Sequence, residues 1–464
     1  MEVVLGLFKR GMIEQNGHMV ADALTPIAPP RDTGRLYAFY RASSAFSIQA
    51  DLRHEIVYSS DIHLNKAESN AWIDVFVAYW KAVGALLATE EATNQGKAQD
   101  AEWGKAYEQW KEMVNALIRG YTTNVFPPWT LPCLYTAGKY LRNLAIKADE
   151  QTRKSTGNVT YNEGFQDDVV SSIGKNDSLQ DAARQINRIF SLCISDRAPL
   201  EESRKWGVYY ISNLLFKIYF KLNSISLCKN ILRSLQVSQS DMPPFEGFPK
   251  SHQVTFRYYA GVIHFLDEDY KTAEDYLTKA LTACHRTAHK NQELILTYLI
   301  PCRLLTASQL PTPTVLAQFP HLEALFTPLI TAMKQGNLAA FDAALVAGEP
   351  AFIKRRIYLT LERGRDMVLR NLLRKVFIAG GFEPVKEGAA DASRVRRTRI
   401  PVKEFWAAVR LSSGPVAGEH LEVDEVECML ANLIYKGFIK GYISREFGKV
   451  VLSKNNQAFP GTGV

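Results

Sequence analysis

The chain of 464 residues has no CxxC pair: its six cysteines, Cys133, Cys193, Cys228, Cys284, Cys302 and Cys428, lie far apart. That spacing excludes a zinc ribbon and argues against a disulfide scaffold, so most of them are expected to be buried small hydrophobes. No run of about 18 uncharged apolar residues occurs, and no membrane insertion is expected. The opening Met1 to Arg10, followed by Gly11-Met12-Ile13-Glu14, does not follow the basic, apolar, small-residue order of a secretory signal. The expected location is therefore the nucleus or the cytoplasm, and the Asn158-Val159-Thr160 sequon has no meaning without secretion.

Motifs for chemistry are also scarce. Neither GxxxxGK[ST] nor GxGxxG opens a helix after a strand, which argues against nucleotide chemistry, and GxSxG is missing. His285 and His289 lie one helical turn apart, but Arg286-Thr287-Ala288 between them supplies no glutamate for an HExxH site. They read as a solvated helix end. No two histidines are separated by one residue, so the His-x-His motif of metal-dependent deubiquitinases is absent. No cofactor, no metal and no enzymatic activity are expected.

What the chain does have is apolar surface for a packed protein: 47% hydrophobic and 11% aromatic residues, with 22% charged, exclude disorder as the dominant state. Helical spacing is its main signal. Trp72, Val75, Phe76, Tyr79 and Trp80, then Trp103, Tyr107, Trp110, Val114 and Leu117, recur at steps of three and four. Leu24 to Arg35, punctuated by Pro26, Pro29, Pro30 and Gly34, reads as a loop. Asp149 to Ser178 is polar, carries Gly157, Gly164 and Gly174, and reads as a mobile insertion. Ile211, Leu215, Ile218 and Leu222 form one stripe of a helix whose other faces hold Trp206, Tyr209, Tyr210, Phe216, Tyr219 and Phe220. Such a helix must be covered on more than one side.

A degenerate repeat follows. Cys228, Leu232 and Leu235 sit 45 residues before Ala273, Leu277 and Ala280 with the same spacing, and Gly261 adds the small residue of a tetratricopeptide-like helix pair. Further pairs fit Leu294 to Leu305 and Leu325 to Leu345, the latter turning at Gly336-Asn337. An irregular all-helical domain is the alternative. The expected organisation is an N-terminal segment over 1–60, helical repeats over 61–202 with the insertion at 149–178, repeats over 203–379, a basic loop over 380–399 and a terminal module over 400–464.

That last module changes character. Ile400 to Leu411 reads as a short strand or turn and a helix, Val423 to Tyr435 as a second helix, and Gly437, Gly441 and Gly448 punctuate a two-stranded ribbon. This is the order of a winged helix. The quarter from Phe352 to Val464 holds 20 Lys and Arg against 12 Asp and Glu, whereas the whole chain carries only +7. Lys436, Lys440, Arg445, Lys449 and Lys454 fall on the second helix end and wing, with Arg396, Arg397 and Arg399 as a flexible accessory arm leading in, followed by Lys403. Two readings fit these cations: phosphate contacts to nucleic acid, or a solvated positive face.

Ser203 to Leu235, Val254 to Gly261 with Tyr270 to Leu277 and Cys284-His285-Arg286, and Asp424 to Ser444 resemble one family. It is the PCI-domain protein of nuclear messenger RNA export, also named for a twelfth, loosely associated signalosome subunit. Leu299-Ile300-Pro301 is similar to its helix-breaking proline. The resemblance covers Ser203 to Asn455. It implies an all-α fold of helical repeats ending in a winged helix, and a non-enzymatic scaffold. It further implies pairing with a second PCI-type scaffold and with a small acidic subunit shared with the proteasome lid. RNA or duplex DNA would bind a joint basic platform. It implies a place in the nucleus, with association at the nuclear pore, and leaves open a signalosome-associated role through protein contacts alone.

Overall fold

The computed structural model describes residues 1–58, 62–97, 101–156, 176–383, 396–454 and 457–463. Two compact units divide it, Met1–Tyr259 and Ala260–Val464, and the dividing point falls within helix Lys250–Leu266. This is a division by contact, whereas the organisation expected above is one by repeat type.

The first unit is built on antiparallel helices, of which Lys66–Asn94 is the longest. Asn65 caps it, its side-chain oxygen accepting the Glu68 N–H at 2.8 Å. This helix is long and apolar enough to cross a membrane by length and composition alone. Its Trp72, Phe76, Tyr79 and Val83 are instead buried in the protein. Phe8 meets Trp72 and Phe76 edge-on at 5.1 and 4.9 Å, and the Tyr79 hydroxyl donates to the Thr25 carbonyl at 2.9 Å. The aromatic tract ending near Leu222 is the helix Val208–Lys221, and it is covered on several sides as expected. Tyr209 packs against Phe245, Phe248 and Phe256, while Tyr210 stacks on Tyr135 at 4.2 Å.

The insertion expected from Asp149 is shorter than its composition suggests. Helix Pro132–Thr156 runs through Asp149, and residues 157–175, with their three glycines, lie outside the described residues. Asp149 is buried because its carboxylate accepts the Ser178 and Leu179 N–H groups at 3.1 and 3.0 Å, satisfying the free end of helix Asp177–Ile194. A polar residue here does the work of a cap, which composition cannot tell from a loop.

His252 lies edge-on to Tyr135 and Tyr210, and its Nδ1 is buried without a partner. Burial first, and His18 second, push its imidazole down to about 4 from 6.5. A base lowered in the folded state stabilises fully above its unfolded pKa and less as pH falls toward the folded one. Wild type should therefore lose about 1 kcal/mol more than His252→Phe between pH 7 and pH 5, allowing for partial solvent contact. Urea midpoints at the two pH values measure it, and equal losses would remove His252 from the account.

In the second unit, helix pairs follow the small-residue spacing. A Cβ on Gly261 would lie 2.7 Å from the Leu277 side chain, so the helix holding Gly261 and helix Tyr270–Ala283 approach as closely as glycine allows. Pro301 does not break its helix: His289–Ala307 continues through it. Ile295, Leu296, Leu299, Ile300, Cys302 and Leu304 are buried around the proline, and that packing outweighs the lost hydrogen bond. Helices Pro320–Gln335 and Leu338–Lys354 turn at Gly336-Asn337 as the spacing implies, with Asn337 capping the second through the Ala340 N–H at 2.9 Å.

The terminal module follows helix Arg365–Ala379. It comprises strand β1 (Arg399–Pro401), helices Val402–Ser412, Gly414–Glu419 and Val423–Tyr435, and strands β2 (Gly441–Ser444) and β3 (Lys449–Leu452). The ribbon expected from the sequence gains β1 as a third strand, in the antiparallel order β1-β3-β2. Three residues are too few to show alternation, and only pairing with β3 identifies β1 as a strand. Ile400, Phe405, Val409, Val426, Leu430, Leu433, Val450 and Leu452 are buried between sheet and helices. Ser412 fastens the module to the repeats, its hydroxyl donating to Gly336 O and accepting from Leu338 N, both at 2.8 Å.

Candidate nucleic-acid interface

Strand register decides which wing residues share a face. Tyr442 pairs with Val451 and Ser444 with Lys449, while Arg399 and Pro401 pair with Val451 and Lys449 from the other side. Cross-strand partners point the same way. Arg399, Lys449, Ser444, Val451 and Tyr442 therefore lie on the outer face, opposite the buried Ile400, Val450 and Leu452.

The cations expected to bind phosphate divide into three groups. Lys440 and Lys454 are exposed at the open end of the β2–β3 hairpin, where the Ser453 N–H donates to the Lys440 carbonyl at 2.8 Å. Lys440 also reaches Gln457, at 3.5 Å. Arg445 and Lys449 are exposed at the turn end, with Arg445 only loosely drawn to Glu427 at 3.8 Å and 81% exposed. Five residues of extended chain, about 17 Å, separate Lys440 from Arg445 and Lys454 from Lys449. Lys436, by contrast, is tied to Asp366 at 2.6 Å, on helix Arg365–Ala379 rather than on the wing face.

The expected accessory arm is not an arm where the structure describes it. Arg397 pairs with Glu404 at 2.8 Å, and Arg396 lies over the Phe382 ring at 5.0 Å while bridging to Phe382 in antiparallel register. Arg399 belongs to β1. Anchoring to the module replaces the flexibility that the glycines and charges implied, and residues 384–395 lie outside the described residues.

The local positive excess has a different source from the one its position suggested. Residues 400–464 hold seven Lys and Arg against seven Asp and Glu, so the excess lies in 352–399. Much of that is internally engaged. Arg363 pairs with Glu268 at 2.8 Å, Arg365 with Asp342 at 3.2 Å, Arg355 donates to Thr297 at 2.9 Å, and Arg370 is buried near the Phe438 ring. Helix Val423–Tyr435 contains no Lys or Arg. Its first turn carries Asp424 and Glu425, and Glu422 and Glu425 form a reciprocal capping box.

Sequence reasoning about charge missed Tyr442 and Phe447, which are 62% and 72% exposed. The alternation around Tyr442 marks its ring as lying on one face of a strand, and the turn glycine Gly448 marks Phe447 as a hairpin-turn residue. Elsewhere, an open cleft of about 670 Å³ is lined by Thr122, Asn124, Ser195, Asp196 and Arg204, the last two bound to each other at 2.9 Å. Among the described residues no three His, Cys, Asp or Glu side chains gather into a metal-sized group, and His285 and His289 are exposed.

Comparison with known proteins assigns the architecture. The PCI domain model matches residues 348–454, the final repeat and the winged helix. A Gibberella zeae protein named Protein CSN12 homolog is 52% identical, with 97% of each chain covered. The chain belongs to the PCI-domain family of CSN12 homologues. A Schizosaccharomyces pombe relative of the same name is 38% identical over 85% of this chain and 86% of that one. The Danio rerio PCI domain-containing protein 2 is 32% identical over 76% and 78%. For this CSN12-like PCI protein, the helical repeats with a small β wing are the scaffold on which the outer wing face is displayed.

Proposed function

We propose that the chain is a non-catalytic PCI scaffold subunit of a nuclear complex coupling transcription to messenger RNA export, bound to a second PCI scaffold and a small acidic subunit. Its wing contributes phosphate contacts for RNA or duplex DNA. The observation that carries this reading is the placement of Lys440 and Lys454 at one end of the hairpin and Arg445 and Lys449 at the other, exposed and without a close ion pair among the described residues. Contacts of this kind release counterions and carry no base information. Lys436 and Arg397 are weaker candidates, because a carboxylate already holds each.

Combined charge reversal at Lys440, Arg445 and Lys449 tests the reading. Three lost phosphate contacts should flatten the dependence of log affinity on log salt by about 2 for single-stranded RNA, with partner binding intact. An unchanged slope would sink the assignment of these residues.

A second reading is a signalosome-associated subunit acting through protein surfaces alone, and the charge-neutral 400–464 segment favours it. Tagged purification from native extract at two salt concentrations, with mass spectrometry of co-eluting subunits, separates the two. Export scaffold and nuclear-pore proteins support the first, and signalosome subunits in fixed proportion support the second.

A further inference from the structure

We infer that the ligand of the wing is a single nucleic-acid strand whose bases stack on Tyr442 and Phe447, not a duplex entered by helix Val423–Tyr435; this rests on the phosphate-binding reading above. Two independent observations converge on it. First, the register sets Tyr442 on the same outer face as Arg399 and Lys449, with only Val451 between Tyr442 and Arg399 across the sheet. The hairpin turn, Arg445-Glu446-Phe447-Gly448, then presents Phe447 between Arg445 and Lys449 in sequence, with one exposed carboxylate, Glu446, beside it. Both rings are mostly exposed, and neither has a ring partner among the described residues. Alternation of exposed aromatics with cations suits a strand that offers a π-face at each base and a charge at each phosphate. A duplex hides its base faces in the stack and leaves these rings nothing to meet.

Second, the helix that would read a duplex is wrongly charged for it. In helix-turn-helix docking the N-terminal residues of the recognition helix enter the major groove between two phosphate backbones. Here that end displays Glu422, Asp424 and Glu425, all exposed. Bringing three carboxylates into the groove opposes binding, while the outer sheet face presents Arg399 and Lys449 and no acidic residue in its strands.

The test uses the full chain and two probes of one sequence, a short single strand carrying 2-aminopurine and its duplex. The single strand should bind more tightly, with quenched 2-aminopurine fluorescence reporting stacking. Tyr442→Leu with Phe447→Leu should weaken single-strand binding by about 10-fold or more, leave the salt slope unchanged and abolish the quench, and Tyr442→Phe should restore it. Tighter duplex binding, or single-strand affinity and quench unchanged in the leucine variant, overturns the inference while the phosphate platform stands. Absence of binding to either probe, or a salt slope insensitive to the charge reversals, overturns the platform itself and this inference with it.

Discussion

Asp196→Ala should destabilise the first unit by about 3 kcal/mol, the scale of an ionic group left without its partner inside a protein. The Asp196 carboxylate accepts from the Arg204 guanidinium at 2.9 Å, the Arg204 N–H at 2.7 Å and the Ser203 hydroxyl at 3.0 Å. Arg204 in turn donates to the Tyr121 carbonyl at 2.6 Å, tying the end of helix Trp103–Thr122 to the start of Val208–Lys221. Burial acts to raise this carboxyl, but the hydrogen bonds and charge of Arg204 outweigh it and pull it down to about 2. The sign follows: a lowered carboxyl stabilises above its ordinary value of 3.8 and loses that contribution as pH falls toward 2. Asp196→Asn, which keeps part of the hydrogen bonding, should lose less than alanine. Hydrogen exchange of helix Val208–Lys221 reads both, and an unchanged protection pattern in Asp196→Ala would show that the network adds nothing.

The other large effect is at Gly336, where valine should cost the second unit about 4 kcal/mol. Gly336 has φ +67, a conformation that costs an L side chain about 1–2 kcal/mol. A Cβ there would also lie 2.8 Å from the Leu372 backbone, which cannot yield as a side-chain tip would, adding about 1–3 kcal/mol of overpacking. Because Ser412 grips the same turn, displacement should also loosen the winged helix from the repeats. Gly437 is the control. It has φ +77 but open space around it, so Gly437→Ala should cost only about 1 kcal/mol. Denaturation midpoints that rank the two substitutions equally would refute the role of Leu372.

Much of the architecture is legible because helices bury faces at fixed spacing. The apolar steps from Trp72 and from Ile211 predict helices that are present, and the small residues at Gly261, Ala273 and Ala280 mark a close helix pair. The Gly336-Asn337 turn is likewise written in its own two residues, one supplying a left-handed backbone and the other a cap. Composition misleads where a polar residue is used internally. Asp149 looks like loop and is a buried cap, and Pro301 looks like a stop and lies within a helix held by its neighbours.

The site was only half legible. Which residues are basic is a sequence fact, but whether each cation is available depends on carboxylates brought from far along the chain. Asp366 reaches Lys436 across 70 positions, and Glu268 reaches Arg363 across 95. By itself the sequence determined the helical class, the repeat spacing, the order of elements in the winged helix and the family resemblance, because each depends on residues a few positions apart. Tertiary structure alone decided that β1 completes the sheet, that Tyr442 shares a face with Lys449 and Arg399, and that Lys436 and Arg397 are already paired. Strand pairing and ion pairing join residues remote in sequence, and no local pattern records which partner will be met.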